Sequence, residues 1–224
     1  MSRALAYCAF FHRVEISLPP KGVTAADVRV MAEGELRLLW SEVEWPFTPE
    51  RMQKNALEFH DVISHVFRQG AVIPFRLLSV FENERSLATF MAEHAKAFLA
   101  DLERLKDCVQ MECVVFPAPL RRQTNNNSGA DYLREKAAML REQEEHVRAI
   151  QESLRSLGRD IHIREGKNGT RIFILTERGR EKEFRSMVEQ QAVPPTLSRR
   201  ISGPWPAAEF LSELVRAPQV AGAK

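Results

Sequence analysis

Residues 60–82 read HDVISHVFRQGAVIPFRLLSVFE. A helical pattern runs out at Gly70, and an apolar run from Ala71 to Phe81 follows at once. Val72, Ile73, Phe75, Leu77, Leu78, Val80 and Phe81 leave little polar alternation, which predicts a strand covered on both faces. Pro74 has no N–H to give a ladder, so an edge position or a bulge is expected there. Arg76, set among apolar residues, has to reach a carboxylate, a carbonyl or the surface, because an unpaired buried charge costs too much.

Upstream, Ala4–Phe11 reads as a first strand, broken by Leu18-Pro19-Pro20-Lys21-Gly22. Val28–Met31 and Leu36–Val43 flank a Glu33-Gly34 turn and form a hairpin signal. Trp45-Pro46-Phe47 is expected to pack down over a core edge. Thr48-Pro49-Glu50 starts a helix with a hydroxyl cap, proline in the first turn and an acid to meet the dipole. Met52, Ala56, Phe59, Ile63, Val66 and Phe67 make its apolar stripe; His60 lies beside the stripe and Asp61 off it. Leu87, Phe90, Met91, Ala95, Phe98, Leu102 and Leu105 trace a second helix. The first half is therefore three or four strands with two helices laid on them.

Asp107–Phe116 opens the second half as a strand, with Val109, Met111, Cys113 and Val115 on one face. Pro117 and Pro119 end it, and Arg121–Ser128 is a polar loop expected to be mobile. A helix over Gly129–Leu157 would be ~40 Å long, more than a small sheet needs. Leu133, Leu140, Val147 and Leu154 recur every seven residues, interrupted by Glu144 and Gln151. That predicts a packed helix with a projecting, coiled-coil-like portion. Ile161–Arg164 and Arg171–Thr176 flank an Asn-Gly hairpin turn at Asn168-Gly169. Gly179–Gln190 reads as a short helix with Phe184, Met187 and Val188 inward, and Thr196–Ser202 as a last strand. The fold class is α+β with two domains. Residues 1–106 form an N-terminal sheet with two covering helices. Residues 107–203 follow the β-α-β-β-α-β order of a ferredoxin-like domain with one long helix, and 204–224 form a tail.

Composition narrows the function classes. The 224 residues include 44% hydrophobic ones, enough for a real core, and the net charge of +2 gives no electrostatic case for nucleic acid. Arg121-Arg122 and Arg199-Arg200 read as solvated pairs. No run reaches the ~20 apolar residues of a membrane span, and MSRALAYCAFFHRVEI has no small-residue cleavage site, so neither a membrane anchor nor a signal peptide is expected. Cys8, Cys108 and Cys113 read as reduced core thiols, since Cys108 and Cys113 point to opposite faces of one strand.

Metal, nucleotide and nucleophile motifs are missing from the sequence. His12, His60, His65, His94, His146 and His162 are scattered, and His60 and His65 diverge around their helix. No cofactor, metal or catalytic residue is expected. His60 with Asp61 is either a polar anchor for Arg76 or a partner, or a helix-rim histidine bonded to a nearby carbonyl. Trp205 stands between Pro204 and Pro206, which stiffen the chain. It belongs either to a rigid tail pinned across the other domain or to an exposed aromatic anchor. Arg76 is a structural ion pair or a contact to another subunit.

Three stretches carry a resemblance to the GvpL/GvpF family of gas vesicle proteins. His60-Asp61 followed by Val72-Ile73-Pro74-Phe75-Arg76-Leu77-Leu78-Ser79-Val80-Phe81 resembles the family's helix and its V-L-P-[LF]-R-F-G-T-V-F segment. Ser128-Gly129-Ala130-Asp131-Tyr132-Leu133 resembles its Y-L helix start. Gly203-Pro204-Trp205-Pro206-Ala207-Ala208-Glu209-Phe210 resembles its G-P-W-P-P-Y-x-F ending. The chain departs from the family at Leu77-Leu78-Ser79, which replaces Phe-Gly-Thr, and at Ala207-Ala208, which replaces Pro-Tyr.

The resemblance implies a two-domain, partly ferredoxin-like protein of the cytoplasm, associated with the vesicle wall. It also implies a role in gas vesicle assembly, with the small apolar shell protein and other accessory proteins as partners. His60, Asp61, Pro74, Arg76, Phe81 and Trp205 are the candidate partner-binding or structural residues. The surface near Arg76, Phe81 and Trp205, between the domains, is where capture of the shell protein is expected. Two other classes stay open. One is a ferredoxin-like module that senses a small molecule or binds proteins outside gas vesicles; the other is an enzyme, which would need a convergent acid/base pair.

Overall fold

The strand buried on both faces is β1, Ser2–Phe11, whose residues Ala4 to Phe11 are all buried. Ala71–Phe81, expected to be that strand, contributes only two short pieces beside it. β4 is Ile73–Pro74 and β5 is Val80–Phe81, and both pair antiparallel with β1. The computed structural model describes residues 1–13, 15–118, 129–167 and 169–216. It divides into one unit of Met1–Asp107 with the chain from Pro206, and a second of Cys108–Trp205.

In the first unit β2, Arg29–Glu33, and β3, Leu36–Glu44, form a hairpin. Gly34 turns it at a φ of 53°, a left-handed conformation that favours glycine. The sheet runs β2-β3-β1-β4, with β5 also on β1, and every pairing is antiparallel. Pro74 thus sits in the outer strand β4, opposite Cys8. Phe47 is buried and meets Trp45 edge to face at 5.0 Å.

Helix α1, Pro49–Phe67, begins at Thr48 with proline in its first turn. Its buried face differs from the expected stripe: Asn55 and Val62 point inward with Phe59, Ile63, Val66 and Phe67, while Ala56 is exposed and Met52 half-buried. The bulky branched and aromatic side chains set the helix rotation, and a single alanine carries little weight against them. Helix α2, Glu84–Leu105, buries Leu87, Met91, Phe98, Leu102 and Leu105. The Asn83 side chain accepts from the Ser86 amide at 2.9 Å and the Ser86 hydroxyl accepts from the Asn83 amide at 3.1 Å, a reciprocal cap. Both helices pack on β1.

The chain from Pro206 returns to this unit. Asp101 of α2 accepts from the Ser212 amide at 2.8 Å and pairs with Arg104 at 2.8 Å, and Arg104 also donates to the Phe210 carbonyl.

The second unit runs β6 (Cys108–Pro117), α3 (Gly129–Leu154), β7 (Asp160–Gly166), β8 (Gly169–Glu177), α4 (Glu181–Glu189) and β9 (Leu197–Trp205). Its antiparallel sheet has the order β7-β8-β6-β9. The unit's first strand therefore lies between its third and fourth, the split β-α-β order of ferredoxin-like folds. Met111, Cys113 and Val115 of β6 meet Val147, Ile150 and Leu154 of α3 and Phe184 and Val188 of α4 in one core. The expected polar loop, Arg121–Ser128, and Asn168 of the hairpin turn lie outside the described residues. Helix α3 ends at Leu154, and Leu157 follows in a turn that still reaches the core. All three cysteines are buried, and none forms a disulfide among the described residues; burial pushes Cys8 up and Cys113 up to about 11.

Candidate interaction site

The region of β1 that receives β4 and β5 shows how one apolar run became two short strands. The Phe75 amide donates to the Tyr7 carbonyl at 2.8 Å, and the Ala6 amide donates to the Ser79 carbonyl at 3.1 Å. Pairing along β1 is thus continuous, but three residues, Arg76, Leu77 and Leu78, are looped out of it. A turn closes the loop: the Ser79 amide donates to the Arg76 carbonyl at 2.9 Å, and the buried Ser79 hydroxyl accepts from the Arg76 amide at 3.2 Å.

The loop exposes what a strand would have buried. Leu78 is 48% exposed, Leu77 half-buried and Arg76 exposed. Arg76 takes the third of its expected outcomes, the surface, so its charge remains hydrated and needs no buried partner. The two ends are held firmly. Phe75 packs against Phe90 and Phe98 of α2 at 6.1 and 5.8 Å, and Phe81 against Phe90 at 4.9 Å. Phe90 also stacks on His94 at 4.5 Å, whose Nδ1–H donates to the Phe90 carbonyl at 2.8 Å.

His60 and Asp61 are exposed on α1, and His60 Nε2 bonds the Ser64 hydroxyl at 3.1 Å, a helix-surface contact. Pro74, Arg76 and Phe81 share one segment on β1. Trp205 ends β9 in the second unit and is half-buried. Its Nε1–H donates to Ser202 Oγ at 3.2 Å; Ser202 donates to Glu112 Oε2 at 3.0 Å; Glu112 Oε1 accepts from Arg171 Nε at 2.5 Å. Trp205 is therefore the outer end of a polar chain anchored on a buried carboxylate. Sequence reading missed Glu112. Its signal was an acid inside CVQMECVVF, which has to find partners once both faces of β6 are covered.

Among the described residues no three or more His, Cys, Asp and Glu side chains are placed to hold a metal ion, and no helix is long and apolar enough to cross a membrane.

These elements define a mixed α+β protein with two antiparallel sheets and five α-helices among the described residues. The family model described as "Gas vesicle synthesis protein GvpL/GvpF" matches residues 4–212, and the chain belongs to this family. The crystal structure of the gas vesicle protein GvpF from Anabaena sp. PCC7120 is similar in fold, with a TM-score of 0.75 at 14% identity over 95% of this chain and 97% of that one. GvpF from Microcystis aeruginosa matches with a TM-score of 0.75 at 13% identity over 94% of this chain and 99% of that one. No curated protein sequence matches the chain.

Proposed function

We propose that this chain serves gas vesicle assembly by binding the small apolar shell protein, without bond-making chemistry. Membership of the GvpL/GvpF family supports the assembly role. The observation that carries the binding reading is the Arg76-Leu77-Leu78 loop, which holds a half-exposed leucine beside an exposed guanidinium on a base fixed by Phe75 and Phe81. An apolar subunit face exposed before polymerisation aggregates unless it is covered. A preorganised apolar loop covers such a face at low ordering cost, and its arginine keeps the free protein soluble.

In this reading the protein works in the cytoplasm and at the vesicle wall, and other accessory proteins join the same assembly. The two units are its two domains, and Trp205 is the second domain's contribution to binding. Co-expression with a shell protein, followed by affinity capture of this chain, tests the proposal. The shell protein is expected in the captured fraction, and less of it with Trp205→Ala. A shell protein left wholly in the aggregate while this chain is folded and recovered rejects the binding role. A melting temperature that rises with a small metabolite, with no shell protein captured, favours a small-molecule module instead.

A further inference from the structure

The first half of α3 carries an apolar seam that no described residue covers. Ala130, Leu133, Ala137 and Leu140 follow at spacings of three, four and three, the pattern of a coiled-coil face. All four are exposed, Leu133 at 64% and Leu140 at 47%. Further along, the helix turns Val147, Ile150 and Leu154 into the core of its unit. The seam spans ~15 Å at 1.5 Å per residue, about three helical turns.

Its borders carry one sign of charge. Around a helix of 3.6 residues per turn, Lys136 edges the seam on one side and Arg134 and Arg141 on the other. Glu135 and Glu142 fall on the opposite face, and Glu144 closes the seam at its far end. Arg134 also meets Asp131 at 2.8 Å, an exposed pair that solvent screens.

This pattern decides between occupants. A second copy of the helix would set basic border against basic border: Lys136 faces Arg141 in a parallel pair, and Arg134 faces Arg141 in an antiparallel one. We propose that Ala130–Leu140 is a docking face for a partner helix whose own apolar seam is edged by carboxylates. The leucines supply the contact area, and the arginines and lysine supply selection and orientation. This face lies on the second unit, away in sequence from the Arg76 loop, and does not depend on the shell-binding reading.

A labelled three-heptad peptide with alanine and leucine in its seam and glutamate along both edges is the probe, and the same peptide with lysine edges is its control. Fluorescence anisotropy on the full chain is expected to show the glutamate peptide binding at least about tenfold more tightly, a preference that fades at high salt. Leu133→Glu with Leu140→Glu, at exposed positions that leave the core intact, is expected to weaken it at least about tenfold. Arg134→Glu with Arg141→Glu is expected to reverse the preference. Equal binding of the two peptides, or binding of neither, overturns the proposal. So does a wild-type dimer in sedimentation that the leucine variant dissolves, since that assigns the seam to a second copy.

Discussion

Tyr7 and Phe75 mark the point where the run beside β1 leaves its ladder. The Phe75 amide donates to the Tyr7 carbonyl at 2.8 Å, and Tyr7 is also the bulged residue of β1 against β3, where the register shifts between Ala6 and Cys8. A bulge bends its strand and sharpens the local twist. Here the loop on one side of β1 leaves the ladder beside the bulge on the other. The Tyr7 hydroxyl fixes the region further by accepting from the Val23 amide at 2.9 Å.

Phe75 should therefore carry the loop's stability, and Leu78 its adhesiveness. Phe75 is 4% exposed, and Phe75→Ala is expected to cost about 3–5 kcal/mol in urea unfolding, as for other buried aromatics. Leu78→Ala is expected to change stability by no more than about 0.5 kcal/mol. Similar losses for the two would mean that the loop is not anchored where the contacts put it.

Asp101 and Arg104 latch the returning chain. Asp101→Ala removes a carboxylate that accepts from the Ser212 amide, and hydrogen bonds to charged groups contribute about 1.5–3 kcal/mol each. Faster hydrogen exchange at the Ser212 amide is expected, with a lower unfolding midpoint. Unchanged protection there would place the latch elsewhere.

Gly203, in the family's Gly-Pro-Trp-Pro stretch, is a backbone requirement. Its φ is 111°, and a Cβ would stand 2.9 Å from the Gln110 carbonyl oxygen and 2.9 Å from Met111 Sδ. Gly203→Ala is expected to destabilise the second unit by at least about 1–3 kcal/mol through strain alone. Thermal unfolding followed at Trp205 checks this; an unchanged midpoint would contradict it.

What the sequence disclosed follows from which interactions are local. The β2–β3 turn at Gly34, the start of α1 at Thr48-Pro49 and the alternation of β6 are written in neighbouring residues. The loop at Arg76–Leu78 is not, because an apolar run reads alike whether it pairs throughout or leaves its ladder. The bulge that marks the place is about 70 residues away. Glu112 was missed, because its partners Ser202 and Arg171 come from β9 and β8, whose register is a property of the sheet. The heptads of α3 were plain. Which half of them the sheet would cover was not, since the helix does not encode the width of the surface beneath it.

His146 gives the second unit a pH dependence of known sign. It is buried, and its Nε2 has no hydrogen-bond partner among the described residues. Burial, and then the Arg199 guanidinium, hold its imidazole below the ordinary value of 6.5, with Glu142 pulling the other way. Well above that value neither folded nor unfolded chain is protonated there, and His146 adds no pH dependence. As pH falls through 6.5 the unfolded chain takes up a proton that the folded chain refuses, so stability declines until the folded pKa is passed. Melting curves between about pH 7.5 and 5.5 should show a steeper decline for the wild type than for His146→Gln. Equal slopes would assign the dependence to other groups.

The most direct test is the amount of shell protein retained per molecule of this chain after co-expression, compared between the wild type and Arg76→Glu combined with Leu78→Asp. Both positions are exposed, so the variant should melt as the wild type does. If the loop is the adhesive surface, retention falls at least about fivefold, on the order of 1 kcal/mol of binding. Undiminished retention by a folded variant would contradict the account.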